Sequence, residues 1–598
     1  MDVFMLTDAV IRDVYAVTVF IKQVVDNFGS YGPDTDQIKR KLVHELLYVE
    51  TFQSNFFEDP DNAEAYRSQS PMLQADVKST LDSLNKVLAE YGIEAAKHGI
   101  LTEDEEQVDP VSTTRPKKSA EGKGHSRLHK RIENYVSAVK EIRKKLVWSL
   151  FEKDKILQML VEYSEWTNRL RQSSALMTEK MLWKGYKSFA EFANTKSAQA
   201  LGLQDVFKRR LLINTLPPDS FTSLDGSIVA HSERMITSNV AVAKFQAHDT
   251  LEPAEVVLEY LAYNNALRQA IDAKQDAAIT ERMLPYRQLA WMLNQAPFPH
   301  EADSDAILAA TSPALLTLRC LGYINQVAEK RIQFLFEAPK MSVMQEQLSI
   351  MSLHRLIQGT KPPPAPTSDT VFLRMWDDYW SSRIRPEASA GRMSTQPLRD
   401  RFFLAYALAL TVLNIHSSGW VHKHLWSRGV IIVPSTKPSR QSRSTYLIPY
   451  VAGWDVARPT AAKETDYMAD YDAEANLYRH PNRQQKPSAR YTLIHDLYSL
   501  GVLLMEIGAW STVDNMFRSQ IRWAKKQGRA PDVDMVRVEW RRTVKAEVER
   551  QMGEGYANAV ACCLLSDFGV AVDDHADTNL AVRFKTTVVD AIKLGIAL

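Results

Sequence analysis

Over the first third of the chain, apolar residues recur at three- and four-residue steps, the spacing that lines one face of an α-helix. Val3, Phe4, Leu6, Val10, Val14, Val17, Ile21 and Val24 form one such stripe. Asp8, Arg12, Asp13 and Lys22 interrupt it, which leaves no run near the ~20 apolar residues that cross a bilayer. No small-residue cleavage site follows a basic start, so an amphipathic helix is expected rather than a signal peptide or a membrane span. A second stripe starts at Asp36 with Ile38, Leu42, Leu46, Val49, Phe52 and Phe56. Pro71 opens a third, with Leu73, Val77, Leu81, Leu84, Leu88 and Tyr91, and Gly92 is expected to end it. Thr102 to Lys123 is acidic, then basic, and almost without apolar residues, which predicts a loop. Helical spacing resumes from Leu128 to Leu150 and continues through Ile156, Leu160 and Tyr163 to Leu170. Residues 1–200 therefore read as an antiparallel helical bundle.

Past Pro217 and Pro218 the pattern changes. Short β-branched runs, Val240 to Phe245, Val256 to Tyr260 and Ile332 to Phe336, alternate with helical stretches such as Ala277 to Asn294. A mixed α+β region is expected there. The proline-rich Pro362 to Pro366 reads as a mobile connection. Helices dominate from Arg399 onward, except at Val430 to Val433 and Tyr446 to Val451, which suggest a hairpin around a polar loop.

Charge and cysteine content narrow the function. The 598 residues hold 73 Lys and Arg against 72 Asp and Glu, a formal charge of +1, so the strong basic field of duplex nucleic-acid binders is absent. Cys320, Cys562 and Cys563 are too few and too badly spaced for a disulfide framework or a four-cysteine zinc site, which suggests a reducing, intracellular compartment. His125 and His129 share a helical face, but no third ligand accompanies them, and they read as solvated surface residues. No nucleophile elbow of a hydrolase is found.

From Ile415 to Val433 the chain reads IHSSGWVHKHLWSRGVIIV: a helix end, a turn, a loop and a strand. This segment resembles the catalytic loop of protein kinases, H-R-D-L-x-x-x-N. In that register His422 is the motif histidine and Lys423 replaces the arginine. His424 stands in place of the catalytic aspartate and Gly429 in place of the metal-binding asparagine. Neither replacement offers the oxygen that phosphoryl transfer or magnesium requires. Downstream, Ala452 to Pro459 (AGWDVARP) resembles D-F-G-L-A-R, with Gly453, Trp454 and Asp455 at the Asp, Phe and Gly positions. Asp455 is two residues from where a metal ligand belongs. A literal Asp567-Phe568-Gly569 comes too late in the chain and reads as a turn closing a helix. Tyr478-Arg479-His480-Pro481 weakly resembles the A-P-E end of the activation segment. Asp496, in His495 to Val502, resembles the aspartate that buttresses the kinase catalytic loop through backbone hydrogen bonds, a structural role.

The strand of the nucleotide-binding lysine has two candidates: Val240 to Lys244, and the favoured Val256 to Leu261, which puts Leu261 at the lysine position and Glu281 on the helix facing it. No glycine-rich loop precedes either, so ATP and magnesium are not expected as cofactors.

Residues 220–598 thus resemble the degenerate kinase-like domains of many fungal proteins, with an N-lobe over 220–338 and a helical C-lobe over 339–598. The front segment, through Phe20 to Phe57, Trp148, Asp154-Lys155, Leu160 and Asn168-Arg169-Leu170, resembles the HeLo or prion-inhibition-and-propagation domain. The fold class implied is multidomain: an all-α helical bundle followed by an α+β, bilobal, kinase-like domain. The resemblance implies a non-catalytic pseudokinase regulator, acting in fungal self/non-self recognition or cell death. Its partners would be proteins or further copies of the chain, with no nucleic acid. It would be cytoplasmic and meet a membrane through the N-terminal helix on activation. Two alternatives stand beside it: an atypical ATP-dependent kinase using Lys244 and Asp455, and an interaction scaffold.

Overall fold

The computed structural model describes residues 3–26, 33–97, 152–184, 195–213, 215–248, 250, 252–295, 315–339, 350–359, 396–438, 443–460, 473–528, 533–570 and 578–597. The loop expected at Thr102 to Lys123, the helix expected at Leu128 to Leu150, His125, His129 and the Pro362 to Pro366 segment lie outside these residues. The fold is mixed α+β and mostly helical: N-terminal helices come first, then antiparallel sheets with further helices. The chain forms two compact units, Met1–Gln204 with Ala309–Pro313, and Asp205–Leu308 with Ala314–Leu598.

In the first unit, α1 (Val3–Asp26) packs on α2 (Pro33–Gln53) and α4 (Pro71–Lys97), and α4 packs on α5 (Glu152–Lys184). The reason is the apolar stripe of each helix, which is stable only when it leaves water. Phe4, Val10, Ile11, Val14 and Val17 are buried on α1, and Leu73, Val77, Leu81, Leu84 and Leu88 on α4. A π-turn at Ser54–Glu58 follows α2 and brings the consecutive Phe56 and Phe57 both inward. Asp59 then caps α3 (Pro60–Arg67) by accepting the backbone N–H of Asn62, with Pro60 at the first helical position.

Gly92 does not end α4, which runs on to Lys97. A glycine inside a helix costs about 1 kcal/mol, less than the buried leucine stripe contributes. Between α2 and α5 the apolar contacts surround a buried ion pair. Arg171 meets Glu45 at 3.2 Å, and the same carboxylate accepts hydroxyl bonds from Ser164 (3.0 Å) and Thr167 (2.8 Å). Thr18 on α1 lies 3.0 Å from the Tyr163 hydroxyl on α5.

The second unit opens with an antiparallel sheet in the order β1-β3-β4-β6-β5, with β2 also on β3. The strands are β1 (Gly226–Ile228), β2 (Arg234–Met235), β3 (Val240–Ala247), β4 (Ala254–Ala262), β5 (Cys320–Gln326) and β6 (Arg331–Glu337). Alternation sets its two faces. Ala241, Ala243, Phe245, Val256, Leu258 and Leu335 pack on one side. Val240, Val242, Val257, Leu261, Ile332 and Phe334 pack on the other, with Met283, Leu289, Met292 and Leu293 of α6 (Asp276–Gln295).

Beyond it, β7 (Met351–Ser352) leads into α7 (Leu353–Gln358), and α8 (Leu398–Ser417) is buried along most of its length. The expected hairpin is present: β9 (Val430–Pro438) pairs antiparallel with β10 (Arg443–Val451), and β7 pairs with β9. The helix α9 (Ala473–Tyr478) and the fully buried α10 (Leu493–Ala509) follow, then α11 (Val513–Met516). Asp567, Phe568 and Gly569 lie just past the helix Glu554–Leu565, whose C-cap is Ser566, as a turn with Phe568 buried. Among the described residues, no helix is long and apolar enough to cross a membrane.

Candidate functional site

The loop from Val421 to Gly429 joins a short strand at Trp420–Val421 to β9, and its shape is fixed from below by Asp496 in the first turn of α10. One carboxylate oxygen of Asp496 accepts the backbone N–H of His422 at 2.8 Å, and the other that of Lys423 at 2.9 Å. His416, at the end of α8, lies 3.1 Å from Asp496 Oδ2, and the Tyr491 hydroxyl donates to Oδ1 at 2.6 Å. Burial alone would raise the Asp496 pKa. The hydrogen bond and charge of His416, the charge of His422 and the Tyr491 bond outweigh it and hold it at about 2. Lys423 takes a positive φ of 70°, so the loop turns sharply where its N–H meets the carboxylate.

His422 is fully buried and edge-on to Trp454, with ring centroids 4.7 Å apart. His424 is partly exposed and stacks on Trp426 at 4.9 Å. Gly429 is a glycine for a steric reason, because a Cβ there would sit 2.8 Å from the Trp426 ring. Its carbonyl accepts the Ala452 N–H at 2.7 Å, which joins this loop to the segment after β10.

That segment turns at Gly453, whose φ of 86° and ψ of 42° are left-handed. The turn points two successive backbone N–H groups at one side chain. Glu259 of β4 accepts from Gly453 at 3.1 Å and from Trp454 at 2.8 Å. Glu259 is 1% exposed although it lies in an apolar strand. Trp454 is buried beside it, and its indole N–H reaches Thr317 Oγ1 at 3.0 Å and the Val451 carbonyl at 3.1 Å. Asp455 follows in the turn Trp454–Val456, and its side chain is outside the described residues.

Above this clamp, among the described residues, a small cavity lies between the sheet and the hairpin. Val240, Val257, Phe336, Ile431, Val451 and Ala452 close around a cavity of about 10 Å³, the scale of one water. Apolar side chains rather than charged ones make its walls, and Glu259 is the ionisable group at its edge.

The sequence expectations for β4 therefore need correction. The side chain that reaches the Gly453 turn is Glu259, two residues before Leu261, and Leu261 joins the apolar core. Glu281 is exposed, because α6 turns Met283, Leu289 and Met292 toward the sheet instead. Lys244 is also exposed, four residues along β3 from Val240, a displacement of about 13 Å at ~3.3 Å per residue. It stands opposite Glu255 at the far end of the strand pair and is not brought to the Gly453 turn. The structure brings together His422, His424, Gly429, Gly453 and Asp496.

Glu259, His416 and Tyr491 were missed from sequence. A lone carboxylate between Leu258 and Tyr260 in a β-branched run was the available signal for the first. Neither a scan against protein-family models nor a comparison with curated proteins finds a match for this chain.

Proposed function

We propose that the protein is a non-catalytic regulator, in which a degenerate kinase-like module is coupled to a HeLo-type bundle of N-terminal helices. The observation that carries this reading is the Glu259 clamp on the Gly453 turn. Val256-Val257-Leu258-Glu259 aligns with the kinase strand motif V-A-I-K, which puts a carboxylate at the lysine position. A carboxylate there repels a phosphate, and each of its oxygens already accepts a backbone amide, from Gly453 and Trp454. The cavity beside Glu259, of about 10 Å³, is too small for a purine. Asp496, bonded to two successive amides of the His422 loop, supports the kinase-like register, while His424 and Gly429 lack the oxygens for phosphoryl transfer and magnesium. Signalling by such a module proceeds through protein partners or further copies of the chain, and a role in fungal self/non-self recognition or cell death follows from the resemblance.

The test is a melting curve of the full-length protein with and without Mg-ATP. A ligand held only by the folded state stabilises it by about 2.7 kcal/mol at 100 times its dissociation constant, a visible shift. No shift is expected. A magnesium-dependent rise would favour the ATP-dependent enzyme instead.

A further inference from the structure

On the far side of the His422 loop, three elements bring one ligand-type side chain each to a single point: His354 from α7, Glu474 from α9 and Asp514 from α11. Their donor atoms all lie within 4.8 Å of one another. We propose that His354, Glu474 and Asp514 form a binding site for a divalent cation of the zinc class.

The outer partners of these groups carry the argument, because metal ligands are characteristically oriented by bonds to their other atom. The His354 side chain is 6% exposed. Its Nδ1 lies 3.3 Å from Ser427 Oγ, which lies 2.9 Å from the Tyr478 hydroxyl, which donates to Glu506 at 2.7 Å. With Nδ1 committed to Ser427, Nε2 is the atom aimed at Asp514 Oδ1, 3.7 Å away. Two ligands on one tetrahedral zinc, at bonds of about 2.0–2.1 Å, stand about 3.4 Å apart, so this pair needs only a small contraction.

Asp514 repeats the pattern. Its Oδ2 accepts Gln358 Nε2 at 3.0 Å, while among the described residues the buried Oδ1 has no hydrogen-bond partner. Glu474 Oε1 accepts two bonds from Arg428, at 2.9 and 2.6 Å, which fixes its carboxylate plane. One imidazole among oxygen donors selects zinc-class metals over magnesium or calcium. Ser427 and Arg428 directly precede Gly429, so an ion here would pin the end of the His422 loop.

The experiment is calorimetric titration of Zn²⁺ into chelator-stripped, tag-free full-length protein, with Co²⁺ absorption as a spectroscopic stand-in. One equivalent should bind, Co²⁺ should show the visible bands of a low-coordinate site, and D514N and H354Q should each weaken binding at least tenfold. The exposed His248→Ala should leave it unchanged. Circular dichroism checks that each variant folds, and E474Q replaces any that does not. No binding by the unaltered protein, or binding undiminished in the ligand variants, would overturn the site.

Discussion

Glu259 and Trp454 are joined by a 2.8 Å hydrogen bond from backbone amide to carboxylate across 195 residues of sequence, and the adjacent Gly453 amide makes the same contact at 3.1 Å. Removing the acceptor would strand two buried N–H groups. Glu259→Ala should therefore cost about 1–3 kcal/mol per stranded group, and Glu259→Lys at least as much, because a cation cannot accept either bond. Denaturant midpoints of the full-length protein check this. A lysine variant as stable as the parent would show that the clamp contributes nothing.

Asp496 makes a different prediction. Its pKa is held at about 2 in the folded state against an ordinary 3.8. Its stabilisation is fully present above pH 3.8 and is lost as pH falls toward 2. With each pH unit between those two values worth about 1.4 kcal/mol, the loss is on the order of 2–3 kcal/mol. Asp496→Asn should lower stability at pH 7 and flatten the acid limb of the curve. An acid limb that Asp496→Asn leaves as steep would count against it.

Glu506 titrates the opposite way. Complete burial outweighs its hydrogen bonds and raises its pKa from 4.5 to about 8, and among the described residues its Oε2 has no hydrogen-bond partner, so the folded protein keeps it protonated at neutral pH. This contribution is fully present below pH 4.5 and falls as pH rises through 8, because only the unfolded chain ionises in between. The slope is about 1.4 kcal/mol per pH unit within that window. Glu506→Gln should remove it, giving equal or higher stability than the parent at pH 8. Unfolding midpoints at pH 5, 6.5 and 8 decide.

In the N-terminal unit, the Arg171–Glu45 pair is almost fully buried, with side chains 1% and 5% exposed. Removing one partner leaves an uncompensated charge, at about 3–5 kcal/mol. Glu45→Gln alone should therefore loosen α2 and α5, seen as faster amide hydrogen exchange in both. Replacing Arg171 by Met as well should recover much of the protection. Equal exchange in the single and double variants would contradict this account.

How much was readable in advance depended on whether local pattern or distant pairing set the outcome. The runs at Val240, Val256, Ile332 and Val430 gave strands because β-branched residues suit a half-buried pleat, and the helices starting at Pro33, Pro71 and Asp276 followed their stripes. Gly92 misled, since the burial of α4 outweighs one glycine. The Asp496 contact with the His422 loop was anticipated from motif order. The partner of the Gly453 turn was not, because the register chosen for that strand put Leu261 rather than Glu259 at the lysine position. Which side chain of an apolar strand reaches a turn almost two hundred residues later is a tertiary fact. The same holds for His354, Glu474 and Asp514, which have no local spacing to betray them.

The burial of α1 sets a threshold on anything its apolar face could do. Exposing Phe4, Val10, Ile11, Val14 and Val17 would forfeit about 1.5–3 kcal/mol for each, on the order of 10 kcal/mol together. At about 1.4 kcal/mol per factor of ten, thermal fluctuation alone would present that face in roughly one molecule in ten million. A resting population is thereby silent, and concentration does little to awaken it. Release of the helix has to be driven, by an event whose free energy is comparable to binding with a dissociation constant of about 50 nM.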